Sequence, residues 1–131
     1  MLFRWGRFTG ASGLVLDWKI ECDALDDDDW SCIAQLCVPL VRPFGRVSGV
    51  PRGGAKLANA FQVHATKNAI STLIVDDVFT TGVSMIRHVH DLGLAADEWK
   101  GLVAFSRTYK LPPNVQCFCQ INGFAPVAAT K

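Results

Sequence analysis

The segment LIVDDVFTTGVS at positions 73–84 constrains the fold of this chain more than any other part of it. With Ser71 and Thr72 in front, its apolar start predicts a strand buried on both faces. Two acids follow, and a short turn rich in hydroxyl groups then enters a helix predicted over 82–92. A turn that opens a helix at the carboxyl end of a parallel strand presents free N–H groups and the positive end of the helix dipole. The segment therefore predicts a phosphate site formed by Thr80, Thr81, Gly82 and Ser84.

Asp76 and Asp77 need a separate explanation. Adjacent carboxylates at a strand end repel each other, so a cation or a polyhydroxyl ligand should offset their charge. The 2′- and 3′-hydroxyls of a ribose are suitable donors, and Mg²⁺ is a cation that would share such a site. The alternative is that one acid caps the helix and the other is solvated.

Strands and helices alternate along the rest of the chain, which favours βαβ units, a parallel sheet of about four core strands and an α/β fold. Further strands are predicted at 45–50, 102–105 and 115–121, and a further helix over 55–63. In the helix at 82–92, the inward side chains are predicted to be Ile86, Val89 and Leu92, with Gly93 ending the helix.

The four acids Asp26 to Asp29 precede another predicted helix. They are expected to cap it and complement its dipole, with metal binding as the alternative. Pro39 should kink or end this helix, and the residues before position 26 look irregular. The inward face of the helix is predicted to be Trp30, Ile33, Leu36 and Leu40.

Composition excludes several classes of function. A formal net charge of +1 gives no global field for nucleic acid or an anionic membrane surface. No uncharged apolar run reaches the roughly 18 residues of a membrane span, and the N-terminal apolar patch is too short for a signal peptide, so a cytoplasmic location is expected. The five cysteines are odd in number and form no CxxC pair, which favours buried, reduced thiols.

The segment at 73–84 resembles the phosphoribosyl-pyrophosphate (PRPP) motif of type I phosphoribosyltransferases. The stretch Gly49 to Gly54 resembles the pyrophosphate loop of that family, in which Arg52, Gly53 and Gly54 would hold the pyrophosphate. The resemblance implies that Asp76 and Asp77 hold the ribose and act in catalysis, and that the turn at 80–84 holds the 5′-phosphate. It also implies Mg²⁺ as a cofactor that arrives with PRPP, with no metal held by the protein alone.

Two further stretches resemble the orotate phosphoribosyltransferase branch. FTGASG at 8–13, followed by DWKI at 17–20, is similar to the N-terminal hood that covers the base in that branch. VAFSR at 103–107 ends in an arginine where that branch places a base-binding one. The resemblance implies a base site formed by Arg107, Lys19 and Ser12, with an exposed role as the alternative for Arg107 and Lys19.

The chain departs from the family between its two phosphate-binding segments. Only residues 55–72 separate them, where the family has another strand and a mobile flap with catalytic residues. The hood also has Ala11 where a lysine is usual and Leu16 where a second serine is common. A short flap favours a PRPP- or nucleotide-sensing module as the alternative to an enzyme.

The resulting prediction is one phosphoribosyltransferase-like domain over 1–131, with a hood at 1–25 and a core at 26–131. The core is expected to be a Rossmann-like parallel sheet with a shortened loop. The expected function is transfer of ribose 5-phosphate from PRPP to a nitrogenous base, with a pyrimidine such as orotate favoured and pyrophosphate released. A homodimer in which the second copy shields the exposed site is compatible with the sequence, which does not fix the oligomeric state.

Overall fold

The computed structural model describes residues 1–9, 13, 15–108 and 110–121. Its elements follow the order of a hairpin and then an α/β unit. They are β1 (Phe3–Thr9), β2 (Val15–Ile20), a 3-10 turn (Cys22–Ala24), α1 (Asp27–Val41), β3 (Arg46–Gly49), α2 (Ala55–Gln62), β4 (Thr72–Phe79), α3 (Val83–Asp91), β5 (Trp99–Ser106) and β6 (Val115–Gln120).

The predicted parallel α/β sheet is confirmed. Within the described residues, four strands form it in the order β3-β4-β5-β6, and each neighbouring pair runs parallel. β4 and β5 are buried along almost their whole length because helices cover both faces. One core lies under α1 and α2 and includes Trp30, Phe44 and Phe61, whereas a second lies under α3 and includes Ile74 and Met85.

The acids before α1 cap that helix, as predicted. The Asp29 N–H donates to Oδ1 of Asp26 at 2.8 Å, and the Asp26 N–H donates to Oδ2 of Asp29 at 3.0 Å, so the two residues satisfy each other's backbone. Among the residues described, no group of three His, Cys, Asp or Glu side chains is placed to hold a metal ion. The helix ends at Val41, two residues after Pro39.

The predicted inward faces of two helices are partly wrong. In α1, Leu36 and Leu40 are 60% and 54% exposed, and the chain buries Ala34, Cys37 and Val41 beside Trp30 and Ile33. Ile86 in α3 and Leu92 just after it are 52% and 45% exposed, and the helix buries Met85 with Val89. Apolar residues lie on more than one side of both helices, so their spacing alone does not identify the face that meets the sheet. Gly93 follows α3 at a φ of +70°, which confirms the predicted end of that helix.

The N-terminal residues were wrongly predicted to be irregular. β1 and β2 pair antiparallel, with Trp5 opposite Trp18 and a register shift between Trp5 and Phe8. Glu21 donates its N–H to the Leu2 carbonyl, which closes the open end of this hairpin. We call the paired strands β1 and β2 the hood hairpin.

The five cysteines are free, and they are less uniformly buried than predicted. Cys22 and Cys37 are buried, Cys117 and Cys119 are half-buried, and Cys32 is exposed. Burial raises the pKa of Cys37 to about 11, as expected for an unreactive thiol. No helix in the described part of the chain has the length and apolarity needed to cross a membrane.

Candidate functional site

The two acids lie within β4. The prediction that they follow the strand is therefore wrong, because the strand does not end with the apolar run at Val75. β4 continues to Phe79, and Asp76 pairs in register with Val103 of β5. The Asp76 side chain is only 7% exposed, whereas Asp77 is half-buried. The parallel sheet thus places one acid deep in its carboxyl edge and the other at the surface of that edge.

The carboxylates of the pair bond to the backbone around them. Asp76 Oδ1 accepts the Asp77 N–H at 2.8 Å, and Asp77 Oδ1 accepts the Val78 N–H at 2.7 Å. Burial above all, together with the side-chain hydrogen bond and the charge of Asp77, raises the pKa of Asp76 to about 8. A pair of this kind favours a ligand that donates hydrogen bonds or brings positive charge.

The loop at 50–54 packs directly against this acid pair. The Val50 N–H donates to the Val75 carbonyl at 2.8 Å, and the Gly54 N–H donates to the Val50 carbonyl at 2.8 Å. The peptide bond between Pro51 and Arg52 is cis. A Cβ at Gly53 would lie 2.5 Å from Cγ of Asp77, so a larger residue here would have to displace that carboxylate. The structure therefore brings the predicted pyrophosphate loop and the predicted ribose acids together.

The predicted phosphate turn lines a cavity of about 190 Å³ beside Asp76. Gly82 has a φ of +86°, and a Cβ there would lie 2.7 Å from the Phe79 ring, so the tight entry into α3 requires glycine. The first N–H groups of α3 have no partner within the helix, and Thr81 Oγ1 accepts one of them, from Val83, at 3.4 Å. The residues of the predicted phosphate site, Thr80, Thr81, Gly82 and Ser84, all line this cavity, and Arg87 lines it as well.

Arg87 was missed by the sequence reasoning. It lines the cavity from the first turns of α3, three residues after Ser84. The spacing of three residues on a helix is the signal that would have found it, because such residues share a face. Arg87 supplies a positive charge that the predicted hydroxyl set lacks.

The hood hairpin meets the core at Arg107. The Arg107 guanidinium lies 3.8 Å from the centre of the Trp18 ring and donates to the Trp18 carbonyl, and the residue is 3% exposed. Burial lowers its pKa. The backbone N–H of Arg107 donates to the Phe79 carbonyl at 2.9 Å, so Arg107 lies beside the end of β4. In this arrangement the side chain fastens the hood hairpin to the sheet.

The other two predicted base-site residues are placed differently. Lys19 lies 4.7 Å from the centre of the Phe8 ring and 3.6 Å from Glu21, on the hairpin itself and not in the cavity beside Asp76. Ser12 lies outside the described residues. The structure therefore brings Arg107 to the edge where the acids lie, whereas Lys19 contacts Phe8 and Glu21 and does not line the cavity.

Cys22 is a second residue near the site that the sequence reasoning did not identify. It lies in the 3-10 turn after the hood hairpin and is buried. Burial above all, together with the nearby charges of Asp77, Asp23 and Asp76, raises the pKa of its thiol to about 12. A neutral thiol thus lies close to the acid pair, and nothing in its sequence context indicates that position.

Comparison with solved structures finds the same architecture in phosphoribosyltransferases. The orotate phosphoribosyltransferase of Aeropyrum pernix is 19% identical and aligns over 91% of this chain and 88% of its own, with a TM-score of 0.67. That of Mycobacterium tuberculosis is 18% identical over 92% and 90%, also with a TM-score of 0.67. The Helicobacter pylori xanthine-guanine-hypoxanthine enzyme is 14% identical over 71% and 80%, with a TM-score of 0.53. No family model and no curated protein matches the sequence. At these identities the likeness establishes a shared fold.

Proposed function

We propose that this chain, which has the type I phosphoribosyltransferase fold, binds PRPP and transfers its ribose 5-phosphate to a nitrogenous base with release of pyrophosphate. The observation that carries the proposal is the convergence of three segments at one edge of the sheet. Gly53 lies against Asp77, and Asp76 lines the same cavity as the entry of α3. A ligand with phosphate groups at both ends of a ribose fits that order of chemistry.

Each segment has a role in this reaction. The N–H groups at the start of α3, the hydroxyls of Thr80, Thr81 and Ser84, and Arg87 would hold the 5′-phosphate. The acids would accept hydrogen bonds from the ribose hydroxyls. Positive charge in the bound ligand would favour the ionised form of Asp76 over its protonated form, and the negative charge of the pair would stabilise the positive charge that develops on the ribose as pyrophosphate leaves. Arg52 and the backbone of Gly53 and Gly54 would hold the departing pyrophosphate.

Magnesium fits this site as a companion of the substrate. Mg²⁺ is usually bound through one or two carboxylates together with substrate phosphates, and Asp77 is a half-buried carboxylate next to the candidate pyrophosphate loop. When bound, Mg²⁺ would offset the charge of the leaving pyrophosphate. We propose Asp76 and Asp77 as the residues that would face it.

The proposed base is a pyrimidine with a carboxylate, such as orotate. Arg107 lies at the sheet edge under the hood hairpin, and its planar guanidinium suits a carboxylate. To bind one, the guanidinium would exchange its hydrogen bond to the Trp18 carbonyl for bonds to the ligand. A base of this kind has an acidic ring nitrogen, so no general base is required.

A second candidate function is a PRPP sensor with little turnover. It is favoured by the short connection between α2 and β4, residues 63–71, all of which are described and contain no strand. Water exclusion by a closing loop is a usual part of such reactions. Release of pyrophosphate from PRPP in the presence of a base separates the two functions, because a sensor binds without releasing it.

Thermal unfolding with PRPP and Mg²⁺ tests the shared step. At a hundred times its dissociation constant, PRPP should stabilise the fold by about 2.7 kcal/mol. The matched control is Asp76→Asn with Asp77→Asn, which should stay folded and lose the shift because it no longer offers carboxylates to the ribose. If millimolar PRPP leaves the wild-type protein unshifted, both functions are excluded.

A further inference from the structure

We infer that His88 is a positioning residue for the phosphate-binding end of α3, an inference that rests on the function proposed above. Its Nε2 atom lies 2.8 Å from Oγ of Ser48, at hydrogen-bond distance, and the contact is partly buried. Ser48 is on β3 and His88 is on α3, forty residues later in the chain. The bond therefore ties the edge strand of the sheet to the helix that carries the candidate phosphate site.

α3 needs such a tie because its apolar anchoring is limited. Met85 and Val89 are its buried residues, whereas Val83 and Ile86 are 49% and 52% exposed. Apolar contacts are not directional, so two of them hold the helix against the sheet without setting its rotation about its own axis. A hydrogen bond depends on both distance and angle, so the bond between Ser48 and His88 sets that rotation.

The position of His88 on the helix relates this rotation to the cavity. Ser84 lies four residues earlier, so it shares a face with His88 one turn closer to the start of α3. A rotation that moved His88 away from Ser48 would move the Ser84 hydroxyl and the first N–H groups of the helix in the same sense. The bond therefore orients the groups proposed to hold the 5′-phosphate.

The other end of the bond adjoins the second phosphate-binding segment. Ser48 is followed by Gly49, where β3 ends, and then by the loop at 50–54. A Cβ at Gly49 would lie 2.7 Å from the Gly54 carbonyl carbon, so this end of β3 packs tightly on the loop. A single bond thus connects the segment proposed for the 5′-phosphate with the segment proposed for the pyrophosphate.

The test measures the affinity for PRPP with Mg²⁺, and for ribose 5-phosphate, by titration calorimetry. His88→Ala should weaken both by about threefold to tenfold, the effect of one lost neutral hydrogen bond. His88→Gln should restore most of the affinity, because its side-chain amide can again bond to Ser48. The matched control is His90→Ala on the same helix, where the His90 side chain is 89% exposed, and it should bind as the wild type does.

A double-mutant cycle separates positioning from general stability. Ser48→Ala should weaken the binding of ribose 5-phosphate by a similar factor. The double variant should bind no more weakly than either single variant, because both substitutions remove the same hydrogen bond. Losses that multiply, or no rescue by His88→Gln, would overturn the inference, and so would His88→Ala binding like the wild type. If His88→Ala does not fold, Ser48→Ala carries the same test. If the wild type and His90→Ala both ignore PRPP, the proposed function fails and this inference fails with it.

Discussion

Replacing the buried acid of the pair should make the protein more stable, and more so at higher pH. Asp76 has a pKa of about 8 in the fold, against 3.8 for an ordinary aspartate, with burial as the largest cause. Because the folded state binds this proton more tightly than the unfolded state, the stability is fully present below about pH 4 and is lost as the pH rises towards 8. Asp76→Asn carries no charge, and its Oδ1 can still accept the Asp77 N–H.

The size of the effect follows from the difference in pKa. One unit corresponds to about 1.4 kcal/mol, so the full difference sets an upper bound of about 6 kcal/mol above pH 8. Local relaxation and water reduce such penalties, and replacing buried charges typically gains 1–4 kcal/mol. We expect a gain of about 2–3 kcal/mol at pH 8.5, equivalent to roughly 10 °C in Tm for a domain of this size.

Thermal unfolding of Asp76→Asn and the wild type from pH 4 to pH 9, without ligand, measures this gain. The difference in Tm should be small near pH 4 and should grow up to about pH 8. Asp97→Asn removes an exposed carboxylate from the turn before β5 and is the matched control, with no such trend. A pH-independent difference, or a variant less stable than the wild type at pH 8.5, would refute the argument that Asp76 is held against its charge.

Two further substitutions test other parts of the site. Gly53→Ala should weaken PRPP binding by about tenfold or more, because the added Cβ displaces the Asp77 carboxylate. Lys56→Ala, on the exposed side of α2, is the control and should bind PRPP as the wild type does when both variants are measured by calorimetry. Arg107→Lys should weaken orotate binding by about 1.5–3 kcal/mol and barely change PRPP binding, because lysine lacks the planar fork. Equal loss of both ligands would show that Arg107 supports the site as a whole and does not bind the base.

The sequence predicted most of the core because its strong local signals agree with the tertiary packing. The apolar run before Asp76 has the composition of a strand covered on both faces, and β4 is such a strand. The capping pair Asp26 and Asp29 depends only on contacts three residues apart, so it was also predictable.

What the sequence did not predict depends on contacts that are distant in the chain. β1 is interrupted by Gly6 and shifts register before Phe8, so its alternation is broken and the hairpin was missed. The buried face of α1 is chosen by what covers it, and Leu36 fits the helical period as well as Cys37 does. The contact of Arg107 with Trp18 joins residues 89 apart, which no local pattern reports.

The short connection between α2 and β4 bears on whether the base or water attacks the ribose of PRPP. Asp77 is half-buried, and the structure has no strand at 63–71 that would cover it. Water is present at a far higher concentration than any base, so at an uncovered site it competes for the same carbon of the ribose. On the proposed function, this protein would divide its PRPP between transfer and hydrolysis. The ratio of the two products, more than the rate of either, would then measure how well the hood hairpin shields the reacting carbon.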